Sequence, residues 1–307
     1  MRVLPGDPVA IMVGEKLPEE AIRAIREQFG LDKPLYIQYV VYLSGLFRGD
    51  LGVSLRTRQN VVYEISTCFP TTLENTIVGL SVAIILGIPS GIASALKRQK
   101  IIDHLLRVFS LGIYSVPTYV LGMFLQLLIA VYLGWLPVTG RSSYAVFHSH
   151  ITGLYVLDDL LTLNFIGLLD SFGYLALPGL TLGLGLMPLI SRIGRASIIE
   201  TLNEDYVTTA RAEGFPESQV IYKHALPNAL LPIITVVGMS FAGLLGGSVL
   251  TETIFSLPGL GRLFMTSLYN RDFPLIQGVV VVYSLIVVTS NTLIDILYGI
   301  LDPRIRY

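Results

Sequence analysis

The sequence predicts an all-α fold: a polytopic transmembrane helical bundle with five spans in this chain. Three observations carry that prediction. Only 14% of the 307 residues are charged, where a soluble domain has about 25%. Apolar residues make up 52%. They gather into five stretches, each close to or above the roughly 20 residues that a helix needs to cross the hydrocarbon layer.

The first stretch covers about residues 77–95, the second 105–136, the third 175–193, the fourth 229–250 and the fifth 276–300. None carries a charged residue at its centre. The second is longer than one straight crossing requires, and Pro117 within it predicts a kink, because proline interrupts the intrahelical ladder. Gly87 and Gly91, Gly179 and Gly183, and Gly243 and Gly247 are each spaced four apart. That spacing places both glycines on one face and predicts close helix packing. Residues 1–72 form a charged, mixed segment ahead of the transmembrane part, 73–307. An amphipathic helix is expected over 19–29, started by Leu17-Pro18-Glu19-Glu20 and stopped by Gly30. Residues 137–174 also read as extramembrane, with a short surface helix over 157–169.

Basic residues orient the spans, since short cytoplasmic loops carry excess Lys and Arg. Lys97, Arg98, Lys100 and Arg107 lie between the first two spans. Arg192, Arg195, Arg211 and Lys223 lie between the third and fourth, and Arg304 and Arg306 follow the last. The alternate loops hold Arg141 in one and Arg262 and Arg271 in the other. The loops around Lys97 and Arg211 are therefore expected in the cytoplasm and the N-terminal segment outside.

Several function classes find no support. Basic and acidic residues number 21 and 22, so there is no overall positive field for nucleic acid. Cys68 is the one cysteine, and His104, His148, His150 and His224 are scattered, without metal-ligand spacing. Gly183-Leu184-Gly185-Leu186-Met187-Pro188 lacks the third glycine of a dinucleotide loop, and no Gly-x-x-x-x-Gly-Lys phosphate loop occurs. No cofactor is expected. An autonomous secondary transporter would show carboxylates or broken helices near mid-membrane, and the spans as drawn have no central Asp or Glu. A membrane-embedded hydrolase would need a nucleophile, base and orienter in one arrangement, which the Ser, Asp and His residues do not show.

The loop over 200–228 is the informative one. Residues 204–213 suit a short amphipathic helix, Gly214 can cap it in the left-handed conformation, and Pro216 discourages continuation. A second helical piece is expected over 217–226. A helix–turn–helix at a membrane face can dock into a partner's groove or serve as a passive connector, and the pattern alone leaves both open.

Asp205-Tyr206-Val207-Thr208-Thr209-Ala210-Arg211-Ala212-Glu213-Gly214, followed by His224-Ala225-Leu226-Pro227-Asn228-Ala229-Leu230-Leu231-Pro232, resembles the EAA motif of ABC importer permeases. The general motif has Glu-Ala-Ala where this chain has Thr208-Thr209-Ala210, and isoleucine where it has His224. Those departures fit the peptide-permease branch. Leu4-Pro5-Gly6-Asp7-Pro8, Gly30-Leu31-Asp32-Lys33-Pro34, Gly49-Asp50-Leu51-Gly52 and Pro70-Thr71-Thr72-Leu73-Glu74 are similar to that branch's N-terminal region. Gly134-Trp135-Leu136-Pro137-Val138, Thr251-Glu252-Thr253-Ile254-Phe255, Pro258-Gly259-Leu260-Gly261, Arg271-Asp272, Gln277-Gly278 and Asp302-Pro303-Arg304-Ile305-Arg306 continue the resemblance to the end. The family is that of dipeptide and oligopeptide importer permeases, which also includes nickel, glutathione and oligosaccharide importers.

The resemblance implies a multi-pass subunit of a prokaryotic plasma (inner) membrane, in contact with lipid and holding no nucleotide. It implies a second homologous permease, two cytoplasmic ATP-binding subunits and an extracytoplasmic solute-binding protein as partners. Asp205, Tyr206, Ala210, Arg211, Ala212, Gly214, His224, Ala225, Leu226, Pro227 and Asn228 would form the short coupling helices that meet the ATPase. The passage would lie between the two permeases. Gln126, Asn291 and Asp295 are polar candidates for it, with Asp295 so near the cytoplasmic end that an interfacial role is favoured. The family usually has another membrane helix before the residues resembling Leu4 to Pro8, so six spans are expected in the complete protein, with an apolar run encoded just upstream of Met1.

Overall fold

The computed structural model describes residues 32–301. The expected helix over 19–29 and the motifs at Leu4 and Asp302 lie outside the described residues. In chain order the helices are α1 (Leu35–Phe47), α2 (Val61–Leu96), α3 (Ile101–Tyr114) and α4 (Thr118–Leu125), which runs on as a π-helical stretch over Gln126–Tyr132. Then come α5 (Tyr155–Leu161), α6 (Phe165–Thr201), α7 (Asp205–Ala212) and α8 (Glu217–Gln219), which continues as a π-helical stretch over Val220–Ala225. α9 (Leu226–Gly247), α10 (Val249–Ile254), α11 (Leu260–Tyr269) and α12 (Phe273–Leu301) complete the set. Among the described residues, the extended structure is one isolated bridge between Val53 and Asn60.

Four stretches, 61–96, 165–201, 217–246 and 273–296, are long and apolar enough to cross a membrane. The expected second span is broken: α3 and α4 meet at 97°, and counting them as one gives five crossings. Pro117 stands at the break as the N-cap of α4, where its fixed φ starts a new helix and cannot continue the old one. Two spans also differ in extent from their apolar stretches. α2 begins at Val61, not near Ile77, because the Asn60 side chain accepts a 2.8 Å hydrogen bond from the Val62 amide and caps it. α6 begins at Phe165 and takes in the second half of the surface helix expected over 157–169, leaving α5 as the separate part.

α2 and α6 are the central pair, parallel and glycine-packed. A Cβ on Gly79 would come within 2.7 Å of the Leu182 side chain, one on Gly183 within 2.5 Å of Val82, and one on Gly87 within 2.8 Å of Ile190. Further along, a Cβ on Gly91 would lie 2.8 Å from the Ser191 carbonyl oxygen. Absent side chains are what let the two backbones close up. α9 joins this pair through Ala83, Ile190 and Ile233. α11 and α12 join the start of α2 through Val61, Ile65, Leu260, Leu275 and Val279. Gly243, by contrast, faces nothing within 4 Å in this chain.

Candidate functional site

The 205–228 segment leaves the bundle as a helical hairpin. α7 ends at Ala212, and Gly214 follows with φ of +84°. The Phe215 amide donates to the Ala210 carbonyl at 3.3 Å and the Gly214 amide to Arg211 at 3.1 Å. This pair of bonds is a Schellman cap, and it requires a residue tolerant of positive φ. Pro216 then caps α8 in extended conformation. The hairpin closes on Val207, Ala210, Val220 and Ala225, all at most 4% exposed, with Leu202 beside them. These side chains are small, so the two helical pieces lie close together.

Polar contacts clip the hairpin from outside. Arg211 forms a 2.9 Å ion pair with Glu217 across the turn and also reaches the Leu202 carbonyl at 3.4 Å. The Asn228 side chain donates to the Tyr206 hydroxyl at 2.8 Å, tying α7 to the start of α9. His224 packs its ring 5.4 Å from that of Phe215.

Of the expected site residues, Ala210 and Ala225 are core. Tyr206, Arg211, His224 and Asn228 are clips. Leu226 and Pro227 open α9, where proline is tolerated in the first turn. Asp205, Ala212 and Gly214 are exposed. Val207 and Val220, fully buried, belong to the site and were not among the expected residues; a pattern of apolar positions across the Gly214 turn would have flagged them. The outward face of the hairpin presents Phe215 and Tyr222, 40% and 60% exposed.

The hairpin is anchored to the bundle at its base. Ala229 on α9 packs with Ala95 and Ile198 from α2 and α6, and Ser197 donates to the Ala229 carbonyl at 2.9 Å. Nearby, Asp103 on α3 receives two 2.9 Å hydrogen bonds from Arg195 on α6 and one of 2.5 Å from Ser94 on α2. The base of the hairpin is thus held against α2 and α6, which Asp103 ties to α3.

The opposite end is capped by residues 137–164. Arg141 pairs with Glu74 on α2 at 2.7 Å, donates to the Gly153 carbonyl at 2.6 Å and lies 3.7 Å over the Tyr155 ring. Glu74 also accepts from the Val156 amide at 2.8 Å. Asp158 accepts from the amides of Ile151, Thr152 and Gly153 and from the Thr152 hydroxyl. Burial acts to raise the Asp158 pKa, but those hydrogen bonds outweigh it and hold the carboxyl below its ordinary value. His148 sits 2.8 Å from Asp159 and stacks on Tyr155. A cleft of about 1000 Å³ opens beside Arg141, Tyr155 and Arg262.

Glu252 on α10 is completely buried. It accepts from Thr72, Ser248 and the amides of Gly261 and Arg262 at 2.7–3.1 Å. Burial raises its pKa against the pull of those donors. Neither Glu74 nor Glu252 was expected inside the packed structure. The apolar stretches stop short of both, while the helices and loops around them do not. Of the polar candidates in the spans, Gln126 is a structural tie to the carbonyls of Val138 and Ile254. Among the described residues no group of three His, Cys, Asp or Glu could hold a metal ion.

Comparison with known proteins is consistent along the chain. Residues 87–307 match the family model of the binding-protein-dependent transport system inner membrane component, and residues 1–76 match the model of its N-terminal region. The chain is 41% identical over 308 residues to a di/tripeptide transport system permease protein of Pseudomonas aeruginosa, covering 100% of this chain and 92% of that one. It is 41% identical over 307 residues to a dipeptide transport system permease of Alkalihalophilus pseudofirmus, covering 100% of this chain and 92% of the relative. It is 38% identical to a glutathione transport system permease of Shigella flexneri, covering 100% and 91%. An inward-facing structure of the MetNI methionine ABC transporter shares the fold, with a TM-score of 0.58 at 18% identity over 76% of this chain and 93% of that one. With two family models matching in succession and relatives aligned across its whole length, this chain belongs to the binding-protein-dependent transport system inner membrane component family, the permease subunits of ABC importers.

Proposed function

We propose that this subunit forms half of the passage of an importer for dipeptides or oligopeptides, and that the 205–228 hairpin is the surface on which a partner ATPase seats. The observation that carries the coupling role is the hairpin itself: two short helices fixed by a glycine cap, clipped by Arg211 and Asn228, and exposing Phe215 and Tyr222. An exposed apolar face on a rigid hairpin suits a groove in a partner. The peptide substrate is supported by the 41% identity to di/tripeptide and dipeptide permeases. The 38% identity to a glutathione permease favours glutathione, itself a peptide, as the second reading. The full assembly would comprise a second permease, two ATP-binding subunits and an external solute-binding protein. That protein would meet residues 137–174 and the external segment, 1–72.

Gly214 gives the sharpest test. A side chain there would meet nothing within 4 Å in this chain, so its only internal penalty is the positive φ, about 1 kcal/mol. Gly214→Leu should insert in the membrane normally and lose dipeptide uptake, whereas Gly214→Asn, which tolerates the conformation, should retain most of it. Normal uptake and normal ATPase association in the leucine variant would rule the docking role out. Uptake of a labelled dipeptide, competed by unlabelled dipeptide or by glutathione, separates the two substrate readings.

A further inference from the structure

α12 divides lengthwise into three sectors. One is core: Val279 and Ser290 are buried, and Ile294 lies against Gly238 of α9. A second, exposed sector carries Leu285, Thr289, Thr292, Leu293 and Ile296. Its apolar members suit lipid, and Thr292 satisfies its hydroxyl on the Val288 carbonyl of its own helix at 2.8 Å. The third, also exposed, carries Val280 and Val288 beside three polar residues, Ser284, Asn291 and Asp295, of which Ser284 donates its hydroxyl to the Val280 carbonyl at 2.9 Å. At 3.6 residues per turn these three fall within about 40° of the helix circumference, on the opposite side of the core sector from Leu285 and Ile296. Among the described residues, Asn291 and Asp295 have no hydrogen-bond or ionic partner.

Unpaired amide and carboxylate groups on a membrane helix face a water-filled cavity or the bundle interior, not lipid. At its Ser284 end the sector borders a largely apolar concavity of about 490 Å³, bounded by Gly246, Val249, Phe264, Tyr283 and Val288, which does not extend to Asn291 or Asp295. Neither Gly243 nor Gly246 of α9 has an atom within 4 Å of where a Cβ would stand. From Ser284 the polar stripe runs about 16 Å along α12 at 1.5 Å per residue.

We propose that Ser284, Asn291 and Asp295 form one wall of the water-filled solute passage, with Asp295 as the acidic group that favours the ammonium end of the solute. This deepens the function proposed above and rests on it, since the facing wall would come from the second permease. It moves Asp295 from the interfacial role favoured by its position in the sequence to a place on the passage. The Asn291 amide adds a donor and an acceptor in the same line, so a zwitterionic or amine-bearing solute meets matching groups along the wall.

The test uses the assembled transporter in membrane vesicles, in a Cys68→Ser background that removes the one native thiol. Single cysteines are placed as S284C, N291C and D295C on the stripe, and as L285C, L293C and I296C on the lipid sector. They are exposed to a small charged methanethiosulfonate. Only a hydrated thiol ionises and reacts, so the stripe positions should label at least about ten-fold faster than the others. Equal rates on both sectors, or protection of N291C, would overturn the wall. Dipeptide uptake is read in the same vesicles. Differential labelling without uptake upholds the wall and sinks the transport reading. For Asp295, the D295N variant should reduce uptake of a free-amine dipeptide several-fold relative to its N-acetylated form. An equal reduction of both would overturn the ammonium role.

Discussion

In the cap over residues 137–164 charges are buried and paired, whereas in the 205–228 hairpin they are exposed and small apolar side chains hold the structure. Glu74 and Arg141 are 5% and 11% exposed; Arg211 and Glu217 are 40% and 60% exposed. A buried pair is costly to assemble and costly to break, because removing one partner strands the other in a poor solvent. An exposed pair is screened and contributes little. The buried carboxylates of the cap, Glu74, Asp158 and Asp159, are thereby committed to internal partners. The hairpin keeps its polar and aromatic groups on the surface, available to a partner. The contrast suits a stiff outer rim and a contact surface at the other end.

Breaking the cap should give the largest effect. Glu74→Ala leaves Arg141 buried without its carboxylate, and we expect a loss of about 3–5 kcal/mol, seen as a lowered unfolding temperature of the purified protein in detergent. A change under about 1 kcal/mol would mean that water reaches Arg141 and that the two ends are not so different.

Asp158 sharpens the same comparison through pH. Its pKa is lowered on folding, so the stability it contributes is present above the unfolded-state pKa and disappears as pH falls through the folded one. No loss is expected between pH 7 and 5, and a progressive loss is expected below about pH 4. Asp158→Asn should cost about 1–3 kcal/mol at neutral pH by weakening the acceptor for three amides and should flatten the acid limb. Identical acid unfolding in the two proteins would remove Asp158 from the account.

The smallest effect belongs to the hairpin. Arg211→Ala should change stability by at most about 1 kcal/mol, while reducing ATPase association measured by co-purification. A stability loss as large as that of Glu74→Ala would erase the contrast between the ends.

Local chemistry was legible in the sequence where it was decided locally. Gly214 and Pro216 announce the hairpin turn because cap geometry depends on a few adjacent residues. Pro117 announces a break, although its 97° angle depends on what α4 packs against. Apolar runs located the spans, and the end of α2 at Leu96, but not its start at Val61. Thr71, Thr72, Glu74, Asn75 and Thr76 read as outside a membrane, yet all five are buried in the helix. What compensates Glu74 is Arg141, 67 positions away, and what buries Glu252 is Thr72 together with the Gly261 turn. Such pairings are set by tertiary structure and leave no spacing to read. The cap at Asn60, with Glu64 in the first turn, was the available signal for the earlier start.

The glycine seam between α2 and α6 has a mechanical consequence. Gly79, Gly87, Gly91 and Gly183 each receive a neighbour that would collide with any side chain. Sliding one helix along the other by a single residue, about 1.5 Å, would move those neighbours off every glycine together and against residues that carry side chains. The seam resists such shear at several points spread along its length. The pair therefore behaves as one strut, which can tilt or rotate but not change its own register. Shape changes in this subunit are left to the joints around it, such as the angled junction of α3 and α4.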